Sequence, residues 1–256
     1  MKAEDKNRLV QALDLIEDYF GNGYKRPPAV YAFTGGPVRS EAAVPAESAG
    51  SPALSEGDSA GSPQEDSLDR IAGEIGLCTG CPLHATRNKA VPGEGVSRPL
   101  ALVIGEGPGA DEDASGRPFV GKAGKLLDKM LSSIGLSREQ NCFIANVVKC
   151  RPPGNRDPLP GETLACSPFL TRQIVLLRPL AILSVGRVST GLLLNTGAGI
   201  GKLRGRFADY QGTPLLPTYH PSALLRDESL KRPAWEDLKT FKAKLDELSA
   251  SVFGEK

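Results

Sequence analysis

The sequence predicts an α/β protein: a central parallel sheet of about four strands, flanked by helices on both faces and preceded by a disordered N-terminal extension. Three observations lead there. Apolar runs of strand length alternate with stretches of helical periodicity across residues 100–248. Those runs are almost continuously apolar, as strands covered on both faces must be. Ahead of them the composition turns to Pro, Gly, Ser and Ala, too poor in aliphatic side chains to repay the entropy of ordering.

Taken in order, residues 1–22 read as a short amphipathic helix, with Leu9, Val10, Leu13, Ile16 and Phe20 at helical spacing. Packing on its own domain is the commoner fate of such a helix, and binding a partner protein is the other. Residues 23–68 read as a disordered acidic linker, in which "SAGSPALSEGDSAGSPQEDS" keeps no periodicity. A folded domain is expected over residues 69–250. Within it Leu100–Gly105, Cys142–Cys150, Leu180–Gly186 and the run "PLLPTYH" read as strands. Ala123–Ile134 is a helix with Leu126, Leu127, Met130 and Leu131 on one face. Pro160–Leu177 is another, its proline tolerated in the first turn, followed by Arg187–Leu194 and Pro233–Leu248. In an open parallel sheet the ligand sits at the carboxyl ends of the strands. The segments to search are therefore "GEGPG", "NVVKC", "VGR" and "YHPSALLR".

The formal net charge of +1 conceals an asymmetry. Residues 1–69 carry 12 acidic and 6 basic side chains, whereas residues 70–256 carry 18 and 25. A basic folded part suits a polyanionic partner, although many proteins with neutral substrates look the same. No apolar run reaches the roughly 18 residues that a membrane span needs. The N-terminus lacks the apolar stretch and cleavage site of a secretory signal. A cytoplasmic, intracellular location without a membrane is expected, and the chain is expected to act as a monomer. The five cysteines then read as thiols or metal ligands rather than disulfides.

Cys78 and Cys81 form a C-x2-C pair, and Cys150 and Cys166 lie far downstream with 15 residues between them. Four thiolates can close a tetrahedral zinc site or hold an iron–sulfur cluster. A zinc ribbon offers two knuckles of the C-x2-C type, and here only the first pair fits. The spacing favours a cluster; zinc and unligated thiols stay open. Cys142, inside a strand, reads as an ordinary buried thiol. His84, beside the first pair, reads as a surface residue or a support to the ligands.

The glycines after the first strand permit tight turns and a close backbone approach to a ligand. As a dinucleotide fingerprint "GEGPGA" fits only loosely. Pro108 and the acidic run Asp111, Glu112, Asp113 oppose a helix N-terminus built for phosphate. No G-K-[ST] follows, which excludes a P-loop. Glu106 sits inside this loop, as a solvated carboxylate or a functional one. Phe119, between glycines and beside a proline, is a core anchor or a stacking partner for a planar ligand. Asn146, in the middle of an apolar strand, needs partners for its amide. Its paired donor and acceptor match the edge of a pyrimidine ring. A lone histidine is more often structural, yet His220 follows a strand's carboxyl end, where ligands bind.

Together, "GEGPG" with "GRPFVGKAG", "NVVKCRPPGNRDP", "HPSALLR" and the cysteine order resemble the uracil-DNA glycosylase superfamily, in particular its family 4, the iron–sulfur type, over roughly residues 70–245. Glu106 is the acidic residue that a related iron–sulfur family lacks, and no basic insertion precedes the histidine motif. The resemblance implies the same fold, with 69–250 as a catalytic domain. It implies a monofunctional enzyme that flips uracil out of single- or double-stranded DNA and hydrolyses the N-glycosidic bond. On that resemblance Glu106 positions water, and Glu106, Gly107 and Pro108 bring backbone to the uracil. Phe119 stacks on the base, Asn146 reads its edge, and His220 donates to the carbonyl oxygen on which charge builds. Leu224, Leu225 and Arg226 enter the DNA stack, and Cys78, Cys81, Cys150 and Cys166 hold a [4Fe–4S] cluster. A broader glycosylase for xanthine or hypoxanthine, or a DNA-binding module without catalysis, are the alternatives.

Overall fold

The computed structural model describes residues 66–253. The expected N-terminal helix and nearly all of the linker lie outside these residues. The described chain runs α1 (Leu68–Leu77), a 3-10 turn at Pro82–Ala85, β1 (Glu94–Gly95), β2 (Ala101–Gly105), α2 (Ala110–Ser115), α3 (Lys122–Ser132) and β3 (Cys142–Asn146). It continues through α4 (Pro160–Leu177), β4 (Ala181–Val185), α5 (Arg187–Leu193), α6 (Ile200–Leu203), β5 (Ala208–Tyr210), β6 (Thr213–Thr218), α7 (Pro221–Arg226) and α8 (Lys231–Phe253). No helix among the described residues is long and apolar enough to cross a membrane.

The strands form one sheet in the order β1-β3-β2-β4-β6-β5. Its centre, β3-β2-β4-β6, is parallel, and these are the four expected strands. The sheet is wider than expected because β1 and β5 pair antiparallel at its edges. At two and three residues they are too short to carry a period. The central strands bury both faces, as their composition demands. In β2, Ala101 and Val103 face one core with Leu127, Leu131 and Phe241, while Leu102 and Ile104 face the other with Leu170, Ile174 and Leu177. Successive side chains point to opposite faces, so helices must cover both.

Two expected elements differ by more than two residues at an end. The closing helix starts at Lys231 rather than Pro233 and runs on to Phe253. The second strand stops at Asn146 rather than Cys150. The amides of Val147 and Val148 still donate to Gly105 and Glu106 across the sheet. The Asn146 carbonyl, however, accepts from Lys149 Nζ at 2.9 Å, and the chain turns away to bury Cys150. Asn146 therefore ends its strand instead of sitting mid-strand, which brings it to the sheet edge where ligands bind. The short helices α2, α6 and α7 carry too few turns for a periodicity to register.

Candidate active site

Gly105 closes β2, and a side chain there would collide with its surroundings. A Cβ would stand 2.5 Å from Cζ of Phe119 and 2.6 Å from Oδ1 of Asn146. The glycine thus lets an aromatic ring and an amide meet over the strand end. Asn146 is buried at 1% exposure, and its Oδ1 is the one buried side-chain N or O atom without a hydrogen-bond partner among the described residues. An unpaired buried acceptor costs about 1–3 kcal/mol. It marks the place where a ligand donor fits.

Phe119 is held in an unusual backbone state, with φ at 53°. A bulky side chain in the left-handed region is strained, and such strain persists only where neighbours over-determine it. Arg138, itself nearly buried, donates to the carbonyls of Pro118 at 2.9 Å and Phe119 at 3.0 Å, and is paired to Asp128 at 2.7 Å. Glu112 accepts from the amides of Val120 at 2.9 Å and Gly121 at 3.0 Å, and also from Gly109 at 3.1 Å. One carboxylate therefore fastens the glycine loop after β2 to the loop that carries Phe119. Gly124, at the start of α3, lies directly against the Phe119 backbone, where a Cβ would clash. Asp113 accepts from the backbone and side chain of Asn88 at 2.9 Å and 2.6 Å. Glu112 and Asp113 of the acidic run thus tie loops together.

His220 follows β6 and caps α7. Its Nδ1 accepts from the Ser222 amide at 3.1 Å and contacts Ser222 Oγ at 2.8 Å. Burial, reinforced by the charge of Arg226, pushes its pKa down to about 4. The ring is neutral at pH 7, and because Nδ1 accepts, the proton resides on Nε2. Its centroid lies 5.7 Å from that of Phe119. Gly186, at the end of β4 with φ at 102°, lets β4 and His220 approach, since a Cβ there would sit 3.1 Å from the His220 Cβ.

Glu106 is half-buried one residue past Gly105. Burial raises its pKa above the ordinary 4.5, helped by the negative charge of Asp157 and opposed by Arg187. Asp157 and Arg187 are themselves ion-paired. Gly107 packs under Val148, where a Cβ would come within 2.7 Å of a methyl group, and Pro108 is buried beside it.

The four cysteines also come together. Cys78, Cys81, Cys150 and Cys166 line a single pocket with Arg87, Lys149 and Phe169. N–H groups point at the sulfurs: Arg87 Nη1 to Cys150 at 3.1 Å, the Lys149 amide to Cys166 at 3.3 Å, and the Gly80 amide to Cys78 at 3.4 Å. Among the described residues no three His, Cys, Asp or Glu side chains converge closely enough to hold a single metal ion. Cys142 stands apart on the far core, and burial lifts its thiol to about 12, as expected of an inert residue. His84 is exposed beside the pocket, its Nδ1 2.7 Å from the Cys81 carbonyl.

The three residues expected to enter the DNA stack divide. Leu225 is 49% exposed and Arg226 is exposed, but Leu224 is 2% exposed and packs in the core. Leu224 cannot leave that core to enter a duplex without opening a cavity.

A sequence profile of the uracil DNA glycosylase superfamily matches residues 92–239, from the segment before β1 through His220 into α8. The chain belongs to this superfamily. A type-4 uracil-DNA glycosylase of Saccharolobus solfataricus is 48% identical to this superfamily member over 189 residues, covering 70% of this chain and 87% of that protein. The type-4 protein of Thermotoga maritima is 41% identical over 184 residues, covering 70% and 95%. A type-5 uracil-DNA glycosylase of Mycobacterium tuberculosis is 32% identical over 156 residues, 52% of this chain and 58% of its own.

Sequence reasoning missed the residues that brace the loops and strand ends of this candidate site: Arg138, Glu112 and Gly186, with Lys149 on the Asn146 carbonyl. Glu112 makes only the return half of a capping box, its carboxylate accepting from the Gly109 amide at 3.1 Å, because glycine has no side chain to supply the other half. The partners of Arg138 lie about 20 residues away in the chain, and nothing local announces them.

Proposed function

We propose that this chain excises uracil from DNA by hydrolysing the N-glycosidic bond, leaving an abasic site without a lyase step. The observation that carries the reading is the orphaned Asn146 Oδ1, buried beside an aromatic ring at the carboxyl edge of the sheet. Uracil presents an N3–H donor next to an O4 acceptor, and the Asn146 amide offers the complement. A binding module without catalysis has no use for an unpaired buried amide oxygen at a sheet edge that also carries a neutral histidine and a half-buried carboxylate.

The base reaches the pocket only outside the stack, at a cost of a few kcal/mol. Stacking on Phe119, worth about 1–3 kcal/mol, offsets part of that. Backbone of Glu106, Gly107 and Pro108 closes over the ring. Leu225, with Arg226 beside it, fills the gap in the duplex, and Leu224 stays in the core. Water held by Glu106 attacks the sugar C1′, the bond to N1 breaks, and its electron pair moves onto the uracil ring. The water proton passes to the Glu106 carboxylate. The developing charge on O2 meets the Nε2–H of His220, and such a donor is worth about 10²–10³ in rate. A neutral donor suits this step because it stabilises the anion without protonating it.

Cys78, Cys81, Cys150 and Cys166 would hold a [4Fe–4S] cluster, and the fit rests on the donor set. Four sulfurs line one pocket, and N–H groups point at three of them, as hydrogen bonds do at cluster sulfurs. Held by these residues, a cluster would join the segment after α1 to the turn after β3 and to α4, a structural part. The substrate places the protein with chromosomal DNA inside the cell.

The test is base release. An oligonucleotide carrying uracil is incubated with protein and cleaved with alkali, with hypoxanthine and xanthine oligonucleotides run in parallel. Uracil release that Asn146→Ala and His220→Ala abolish, with DNA binding retained, supports the reading. Preference for hypoxanthine or xanthine transfers it to the broader glycosylase, and no release of any base ends it. Iron analysis of anaerobically purified protein tests the cluster, with about four irons per chain expected.

A further inference from the structure

Lys149 has no part in the chemistry above, yet it is among the largest fully buried side chains, at 1% exposure. Both acceptors of its ammonium are uncharged oxygens: the carbonyl of Asn146 at 2.9 Å and Oε1 of Gln173 at 2.7 Å. Gln173 is pinned in turn, its Nε2 donating to the Pro92 carbonyl at 2.7 Å. The Lys149 main chain is engaged at both ends. Its amide donates to Cys166 Sγ at 3.3 Å, and its carbonyl accepts from the Val91 amide at 2.7 Å.

Burying a lysine against neutral acceptors is costly. Apolar residues of similar size at such positions are often as stable or more so. Stability is thus a poor reason for an ammonium here. What it does reach is the carbonyl of the residue whose side-chain amide faces the base pocket. β3 stops at Asn146, and the peptide that follows it is held from two sides: the Val147 amide donates to the Gly105 carbonyl at 3.0 Å, and the Lys149 side chain folds back three residues onto the Asn146 carbonyl at 2.9 Å. The orientation of the peptide after Asn146 sets where its Cα–Cβ bond points, and so where the amide stands.

We infer that Lys149 is a positioning residue for Asn146: it fixes the end of β3 so that the amide is held in the base pocket. Through its own amide on Cys166 it ties that placement to the cysteine pocket. This inference rests on uracil excision being the reaction, and the experiment separates the two.

Single-turnover release of uracil is measured for the wild type, Lys149→Met, Asn146→Ala and the double variant, each with its iron content and unfolding midpoint. Lys149→Met slows release by about 10- to 100-fold, the scale of a misplaced reacting group. Binding to an oligonucleotide with an abasic-site analogue is retained. Because Lys149 acts through Asn146, the double variant is no slower than Asn146→Ala alone. Should Lys149→Met fail to fold, Gln173→Leu removes one acceptor while leaving the lysine and its sulfur contact in place. It gives a smaller loss, again non-additive with Asn146→Ala. Additive losses, or an unchanged rate in the variant that folds, overturn the role of Lys149 while uracil excision stands. A wild type that releases no uracil overturns the reaction, and the inference with it.

Discussion

The Arg138 guanidinium donates to the carbonyl of Phe119 at 3.0 Å, and Phe119 occupies left-handed backbone at φ 53°. The two facts belong together. A phenylalanine in that conformation stays there only because its own carbonyl and that of Pro118 are gripped from behind. Arg138→Met keeps the bulk of the stem and removes the grip. Two carbonyls lose their partner, at about 1–3 kcal/mol for each that stays buried and unsatisfied. We expect a lower midpoint in urea and slower uracil release, because Phe119 relaxes away from the base. Unchanged release in a destabilised variant would show that the ring needs no such support.

Gly105→Ala forces Phe119 and Asn146 apart, since the added methyl would lie 2.5 Å and 2.6 Å from their side chains. We expect base release to fall by at least about 10²-fold, the scale of a displaced catalytic contact. Gly73 supplies the control. It lies inside α1 with nothing within 4 Å of an added Cβ, so Gly73→Ala gains about 0.5–1 kcal/mol of stability at full activity. Equal rates for the two variants count against a pocket built on Gly105.

The state of His220 is open to direct observation, because the chain has only two histidines. With its pKa pushed down to about 4, the ring stays neutral through the range where an ordinary histidine titrates. Nitrogen-15 NMR should report an Nε2–H tautomer that persists below pH 6. The rate profile should lack a break near 6.5. It should instead fall on the acid side as Glu106 takes up a proton, above the ordinary 4.5 because burial raises it. The linkage runs against the fold in acid. The unfolded histidine binds a proton below 6.5 and the folded one only near 4, so this stability is whole above 6.5 and drains as pH drops.

Neighbouring leucines should separate cleanly. Leu225→Ala touches an exposed side chain, so the midpoint barely moves while release from duplex DNA slows more than release from single strands. Leu224→Ala empties a core site and costs about 2–5 kcal/mol. Thermal unfolding beside a two-substrate assay resolves them, and a reversed pattern would reassign the wedge.

Much of the site was legible because strand ends attract ligands. Glu106, Asn146 and His220 each follow or end an apolar run, and all three stand at the carboxyl edge of one sheet. The four central strands were legible because burial on both faces removes the polar alternation that would mark an exposed strand. The edge strands were not, since two or three residues carry no period. The true end of β3 was hidden for a different reason. "CFIANVVKC" is apolar except for Asn146 and Lys149, and nothing in it marks Asn146 as the strand's last residue, with the lysine folded back onto its carbonyl.

By itself the sequence determined the α/β class, the four central strands and the residue types gathered at the carboxyl edge of the sheet. These follow from local pattern: periodicity, glycine after a strand, and the scarcity of histidine. Tertiary structure decided what those residues are. It kept the His220 ring neutral by burying it and turned its Nδ1 onto the Ser222 amide. It left Asn146 Oδ1 without a partner, and it sent Leu224 inward and Leu225 outward. Desolvation, hydrogen-bond partnership and exposure are set by atoms distant in the chain, so no reading of neighbours along the sequence can supply them.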